Sequence, residues 1–174
     1  MKKIVAFLIL IFILSACQNT DNSTNNRLCD NIPAEQIKSL LESGFESKPF
    51  ELEDNNTDSC IFTATNGDDR NKKNISIIIR TYNNLELLNQ DYQKAIATWD
   101  VPQAENREKE IIKELSSRDS ETFWTYGSAI TNMISKQNNT LTIITTGHLP
   151  FEKKELKKHL IILLHNSLSI PNQT

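Results

Sequence analysis

The chain has 174 residues, a formal charge of -3, 38% apolar side chains and 24% charged ones, values of an ordinary globular chain and not of a disordered or fibrous one. Acidic and basic residues are mixed along it, so there is no basic stripe to neutralise phosphates and no nucleic-acid partner is expected. Only four glycines occur in the whole chain; phosphate loops and dinucleotide turns are missing, and no cofactor is expected.

The start reads Met1-Lys2-Lys3, then an unbroken apolar run from Ile4 to Leu14, then Ser15 and Ala16 before Cys17. A basic start, a short apolar core and small residues at the cut are the parts of an export signal. The run is too short for a spanning helix, which needs ~20 apolar residues to cross ~30 Å of hydrocarbon. Leu14-Ser15-Ala16-Cys17 resembles the lipobox of bacterial lipoproteins. The resemblance implies cleavage before Cys17, a diacylglyceryl thioether on its sulfur and an acyl group on its new amino terminus. Two or three chains on one residue make a durable anchor, where one chain binds only marginally. Gln18 stands where an Asp favours retention at the inner membrane, so the resemblance implies the periplasmic face of the outer membrane.

Residues 18 to 26 are almost all Asn, Thr, Ser, Asp and Gln, with nothing to bury, and read as a flexible leash. The expected organisation is a signal segment 1–16, a lipidated cysteine and linker 17–27, a globular domain 28–170 and a tail 171–174. Loss of Lys2 and Lys3 takes the charge from -3 to -5. Membrane contact is then expected through the anchor alone. Cys29 and Cys60 are the two remaining thiols, and in an exported chain they are expected to form a structural disulfide. Redox and metal-ligand readings lack Cys-x-x-Cys spacing or a nearby His.

In the domain, Pro33 followed by Ile37, Leu40, Leu41 and Phe45 has helical spacing, with Gly44 as the stop. Cys60, Phe62 and Ala64 alternate with Ile61, Thr63 and Thr65 as a strand. Asn66-Gly67-Asp68-Asp69 begins a turn, and Ile75 to Arg80 is the return strand. Leu85, Leu88, Tyr92, Ala95, Ile96 and Trp99 form the clearest helical stripe, with Asn83 or Asn84 as its cap. A strand around Lys109 to Leu115 is a weaker expectation. Phe123-Trp124-Thr125-Tyr126 leads into Ala129 to Lys136, and Gln137-Asn138-Asn139 turns the chain into Thr140 to Thr145 as a hairpin. A last helix from about Phe151 to Ser169 turns Leu156, Leu160, Leu163, Leu164 and Leu168 inward, with Lys153, Lys154, Lys157 and Lys158 solvated.

Hairpins in sequence, instead of alternating strand and helix, predict a single α+β domain with helices packed on an antiparallel sheet. A cysteine before the first helix, a second opening a strand, a central helix, an aromatic pair before a hairpin and a closing helix are similar to small exported lipoproteins of the DUF3558-like kind. That resemblance implies a PsbP/Mog1-type sandwich over Cys29 to Leu168 and brings no catalytic residues with it. Ser116-Ser117-Arg118-Asp119 departs from it, a glycine often preceding the aromatic pair there.

No catalytic constellation is legible. His148, His159 and His165 lack the spacing of a zinc helix, and Asp54, Asp58, Asp68 and Asp69 lack the regular alternation and closing Glu of a calcium loop. Trp124 and Tyr126 are the candidate binding patch, since aromatics dominate binding hot spots; core packing of Phe123 is the simpler account of this cluster. The sequence therefore supports a non-enzymatic binding or interaction module, whose partner is an envelope or exported protein. An immunity protein against a periplasm-directed toxin and a hydrolase with an unrecognised site are the two alternatives.

Overall fold

The computed structural model describes residues 27–50, 56–67, 72–99, 108–112, 115, 120–127 and 129–169. The expected signal segment, Cys17, the leash and the 171–174 tail lie outside these, as do Asp54, Asp68, Asp69 and the 116–119 stretch. Among the described residues seven strands form one antiparallel sheet: β1 (Phe45–Lys48), β2 (Thr57–Ala64), β3 (Asn74–Thr81), β4 (Glu108–Ile111), β5 (Ser120–Tyr126), β6 (Ile130–Gln137) and β7 (Thr140–Gly147), in the order β1-β2-β3-β7-β6-β5-β4. Helices α1 (Arg27–Asn31), α2 (Ala34–Leu41), α3 (Leu85–Trp99) and α4 (Lys153–Leu168) pack on it. The architecture is the expected α+β class.

The order is that of two meanders, β1-β2-β3 and β4-β5-β6-β7, joined where β3 pairs along its length with β7, Asn74↔Gly147 to Thr81↔Thr140. To pass from β3 to β4 the chain must cross four strand spacings, ~19 Å. The 15 residues of α3 give ~22 Å of helix. That connection therefore lies across one face of the sheet and covers it as it goes.

Strand alternation separates the two faces. On the first face the register aligns Phe62, Ile75 and Thr146, then Cys60, Ile77, Ile144, Met133 and Trp124. α4 lays Leu156, Leu160, Leu163 and Leu164 into the core on this side, and α1 and α2 add Leu28, Ile37, Leu40 and Leu41. Asn166 on α4 donates from Nδ2 to Gln36 Oε1 on α2 at 2.8 Å. α1 has only five residues, far below the ~12–15 an isolated helix needs. It is held by Leu28 in the core and by the Cys29–Cys60 disulfide to β2, whose Cα atoms lie 5.3 Å apart.

Several elements differ from their expected bounds. α2 ends not at Gly44 but at Glu42, which takes the left-handed conformation at φ 52° and whose carboxylate meets Lys73 at 2.7 Å. Phe45 leaves the helical stripe and opens β1, packing edge-on to Phe62 with centroids 5.6 Å apart. Its period matched a helix by coincidence, because Gly44 separates it from Leu41. α1 spans the end of the expected linker and the first residues of the expected domain, and its five residues carry too little periodicity to be legible in sequence. β4 runs Glu108–Ile111 and so shares only residues 109–111 with the expected strand, with Ile112 continuing its ladder by an N–H bond to Thr122 O at 2.8 Å. Asn84 caps α3, its Oδ1 accepting from Glu86 N at 2.8 Å. Asn138 turns the β6–β7 hairpin at φ 54°. Trp99 closes α3, and its side chain lies outside what is described.

The disulfide closes a separation of 31 residues, for which the chain-entropy account gives ~3–4 kcal/mol. Urea unfolding of the Cys29→Ala, Cys60→Ala double variant should lose about that much stability. A loss under ~1 kcal/mol would show that the bridge does not constrain the unfolded chain as that account requires.

Candidate functional site

The second face carries a row of directly opposed side chains that runs across the sheet: Ile78 on β3, Ile143 on β7, Ile134 on β6, Phe123 on β5 and Ile111 on β4. α3 lies over the middle of this row and seals Ile134, Phe123 and Leu141 beneath Leu88 and Tyr92. Both ends are left open. Ile111 is 51% exposed at the β4 edge. At the other end, a cleft of about 250 Å³ lies between α3 and the β3–β7 floor, lined by Ile78, Arg80, Asp91, Lys94, Leu141 and Ile143.

The floor is hydrocarbon and the rim is charged. On α3, Leu87, Asp91 and Lys94 recur at four and three residues and so share the side turned to the cleft; Leu87 is 52% exposed. Asp91 is the hub of the rim. Its Oδ2 accepts from the Tyr82 hydroxyl at 2.9 Å and from Arg80 Nη1 at 3.4 Å, and its Oδ1 accepts from Lys94 at 3.2 Å. Arg80 also donates from Nε to Thr57 Oγ1 at 3.0 Å. Partial burial pushes the Asp91 carboxyl up, but the Tyr82 hydrogen bond and the nearby lysine and arginine outweigh it and hold the carboxyl below the ordinary carboxylate range. Burial above all pushes the Tyr82 phenol up to about 12. Near neutral pH, the first is a fixed anion and the second a fixed donor.

The far side of α3 is anchored differently. Tyr92 donates its hydroxyl to Glu121 Oε1 at 2.9 Å, and burial beside that carboxylate pushes its phenol far up. Lys136 sits 5.0 Å over the Tyr92 ring and donates to Asn89 Oδ1 at 2.8 Å. Below the row, Asn132 is fully buried: its Nδ2 donates to Thr125 Oγ1 at 3.3 Å, and its Oδ1 accepts from Thr145 Oγ1 at 2.8 Å. The Tyr92 and Asn89 contacts tie α3 to β5 and β6, and the Asn132 contacts tie β5, β6 and β7 to one another.

The residues singled out from sequence fall elsewhere. Trp124 lies wholly within the first-face core, stacked on Tyr126 at 5.8 Å. Trp124 has no exposed surface, because a strand alternates its side chains and Trp124 shares the inward side with Met133, so of the expected pair only Tyr126 reaches the surface. Tyr126 is half-buried and reaches Phe151 O at 3.5 Å. Cys29 and Cys60 are bridged as expected. His148 is an exposed turn residue at φ 56°, His159 packs on Phe151 at 5.1 Å and His165 is exposed on α4. Asp58 is exposed on β2. Lys154 and Lys158 are solvated, whereas Lys157 is half-buried and paired with Glu110 of β4. The cleft itself is not marked by any sequence motif. Its available signal was the unbroken Ile77-Ile78-Ile79, which places apolar groups on both faces of β3.

Comparison with protein-family models, with curated proteins and with solved structures finds no match to this chain.

Because the Asp91 carboxyl sits lower in the fold than in an unfolded chain, its anion stabilises the fold above the ordinary aspartate value. That contribution fades as pH falls through the folded value. In urea unfolding, the stability gap between the native chain and Asp91→Asn should therefore be largest near neutrality and shrink below about pH 4. A gap that stays constant down to about pH 2 would contradict this.

Proposed function

We propose that this chain is a lipoprotein of the bacterial envelope whose exported domain is a non-enzymatic binding or interaction module. In this reading residues 1–16 are removed, Cys17 carries the lipid, and the leash holds the domain at the periplasmic face of the outer membrane. The support for the anchor is Leu14-Ser15-Ala16-Cys17 at the end of the apolar run, and a disulfide suits an oxidising compartment.

The observation that carries the binding reading is the cleft beside α3: an apolar floor of Ile78, Leu141 and Ile143 under a rim whose central carboxylate already meets three donors. A general acid or base works best with a pKa near the operating pH. Asp91 is held low and Tyr82 is held near 12, so both suit orientation of a ligand better than proton transfer. A concave, mostly apolar site with a few convergent polar groups is the usual form of a binding pocket. The ligand or partner is a component of the envelope, which the anchor would keep within reach.

Two measurements test this. Expressed in a two-membrane bacterium, the chain should incorporate labelled palmitate and partition into detergent, and Cys17→Ser should abolish both; unchanged partitioning of that variant overturns the anchor. A photo-crosslinking side chain at Leu87 should capture an envelope component, while the same group at Ile162, exposed on the outer side of α4, should not. Equal capture at the two positions overturns the assignment of the site.

A further inference from the structure

We propose that the cleft beside α3 binds a free fatty acid of short to medium chain, its tail on Ile78, Leu141 and Ile143 and its carboxylate on the ammonium of Lys94. This rests on the cleft being the ligand site of the preceding reading.

The floor fixes the chemistry of the ligand's body. Three branched aliphatic side chains line it and bring no polar group, so a polar body would lose its water contacts without replacement. The volume fixes the size. About 250 Å³ falls below the ~300–1,000 Å³ of drug-sized pockets. It matches the bulk of a single short chain, and the cleft as it stands buries no more than one tail. A longer tail has an exit, since Leu87, on the same side of α3, extends the apolar surface beyond the rim.

The rim fixes the head group. Lys94 is the most exposed charge there, with 74% of its side chain accessible. Of its three N–H donors, one goes to Asp91 Oδ1 at 3.2 Å. Asp91 is not available as the anchor of a cationic head, because its Oδ2 is shared by Tyr82 and Arg80 and its Oδ1 faces Lys94. The group that complements an ammonium on the rim of a hydrocarbon slot is an acceptor-only anion on an aliphatic chain. A carboxylate is the simplest such group. It can bridge the outward N–H donors of Lys94 and leave the Asp91 contacts intact.

The test is a chemical-shift titration of the ¹⁵N,¹³C-labelled chain from position 17 with Cys17→Ser, which retains every described residue. Sodium hexanoate, heptanoate and octanoate should shift Ile78, Leu141, Ile143 and Lys94, with affinity rising about three- to fourfold per methylene. Lys94→Gln should weaken octanoate about two- to fivefold, and Lys94→Arg should restore it. Octylammonium should bind more weakly than octanoate to the native chain. The proposal is overturned if octanoate moves none of these resonances up to about 10 mM, if octylammonium or octyl glucoside binds equally well, or if chain length has no effect. Shifts caused by acetyl-Leu-Glu-amide and not by octanoate would also overturn it and assign the cleft to a protein side chain. Any of these results alongside intact crosslinking at Leu87 would leave the envelope-binding reading in place and remove the fatty acid.

Discussion

A sheet of seven strands has two wide faces, and the described chain has one long helix to lay on each. The sheet spans ~29 Å across its strands, whereas a helix with its side chains covers ~10–12 Å of width. α4, with 16 residues, has help on the first face from α2 and from α1, the latter fastened to β2 by the disulfide. Among the described residues no second helix joins α3 on the other face. α3 must also serve as the crossover from β3 towards β4, which lays it across the middle of the apolar row. The uncovered ends follow from that geometry. One is an exposed isoleucine at the β4 edge and the other is the cleft.

The charged rim reconciles the half-covered face with water. Apolar surface at Ile78 and Ile143 is flanked by Arg80, Asp91 and Lys94, which share one carboxylate, and the aromatic hydroxyl of Tyr82 joins the same hub. Exposed ion pairs of this kind contribute little to stability, ~0–1 kcal/mol each. Their effect is better read as fixing the position of α3 relative to β3 and keeping a polar collar around an apolar slot. Polar contacts elsewhere do similar work: the buried Asn132 with Thr125 and Thr145 defines register across β5, β6 and β7. A slip of β5 by one residue would set that amide against Trp124 or Tyr126 in place of the Thr125 hydroxyl, and a polar group buried without a partner is costly.

Much of the fold was legible because its signals are local. The stripe from Leu85 through Leu88 and Tyr92, the leucines of α4, the Asn-rich hairpin and the alternation around Cys60 each belong to one element and one period. The class followed from their order, and the disulfide from there being two candidate thiols after Cys17. What escaped reading depends on which strands meet. Ile78, Ile143, Ile134, Phe123 and Ile111 are neighbours only because β7 returns beside β3, and nothing in their sequence spacing shows it. The aromatic character of Trp124 is visible in sequence, whereas its inward direction is set by the β5–β6 register and is not. The cleft residues were hidden for the same reason: Arg80 and Asp91 are joined across two elements.

The claim on which this account turns is that α3 seals the centre of the second face and leaves its ends open. Carbene footprinting of the purified chain, read residue by residue by mass spectrometry, addresses it directly. The account predicts strong labelling at Ile111 and Leu87, both about half exposed, and protection at Phe123 and Ile134 beneath the helix. Phe123 and Ile134 labelled as heavily as Ile111 would contradict it, because α3 would then not rest on the row that defines the cleft.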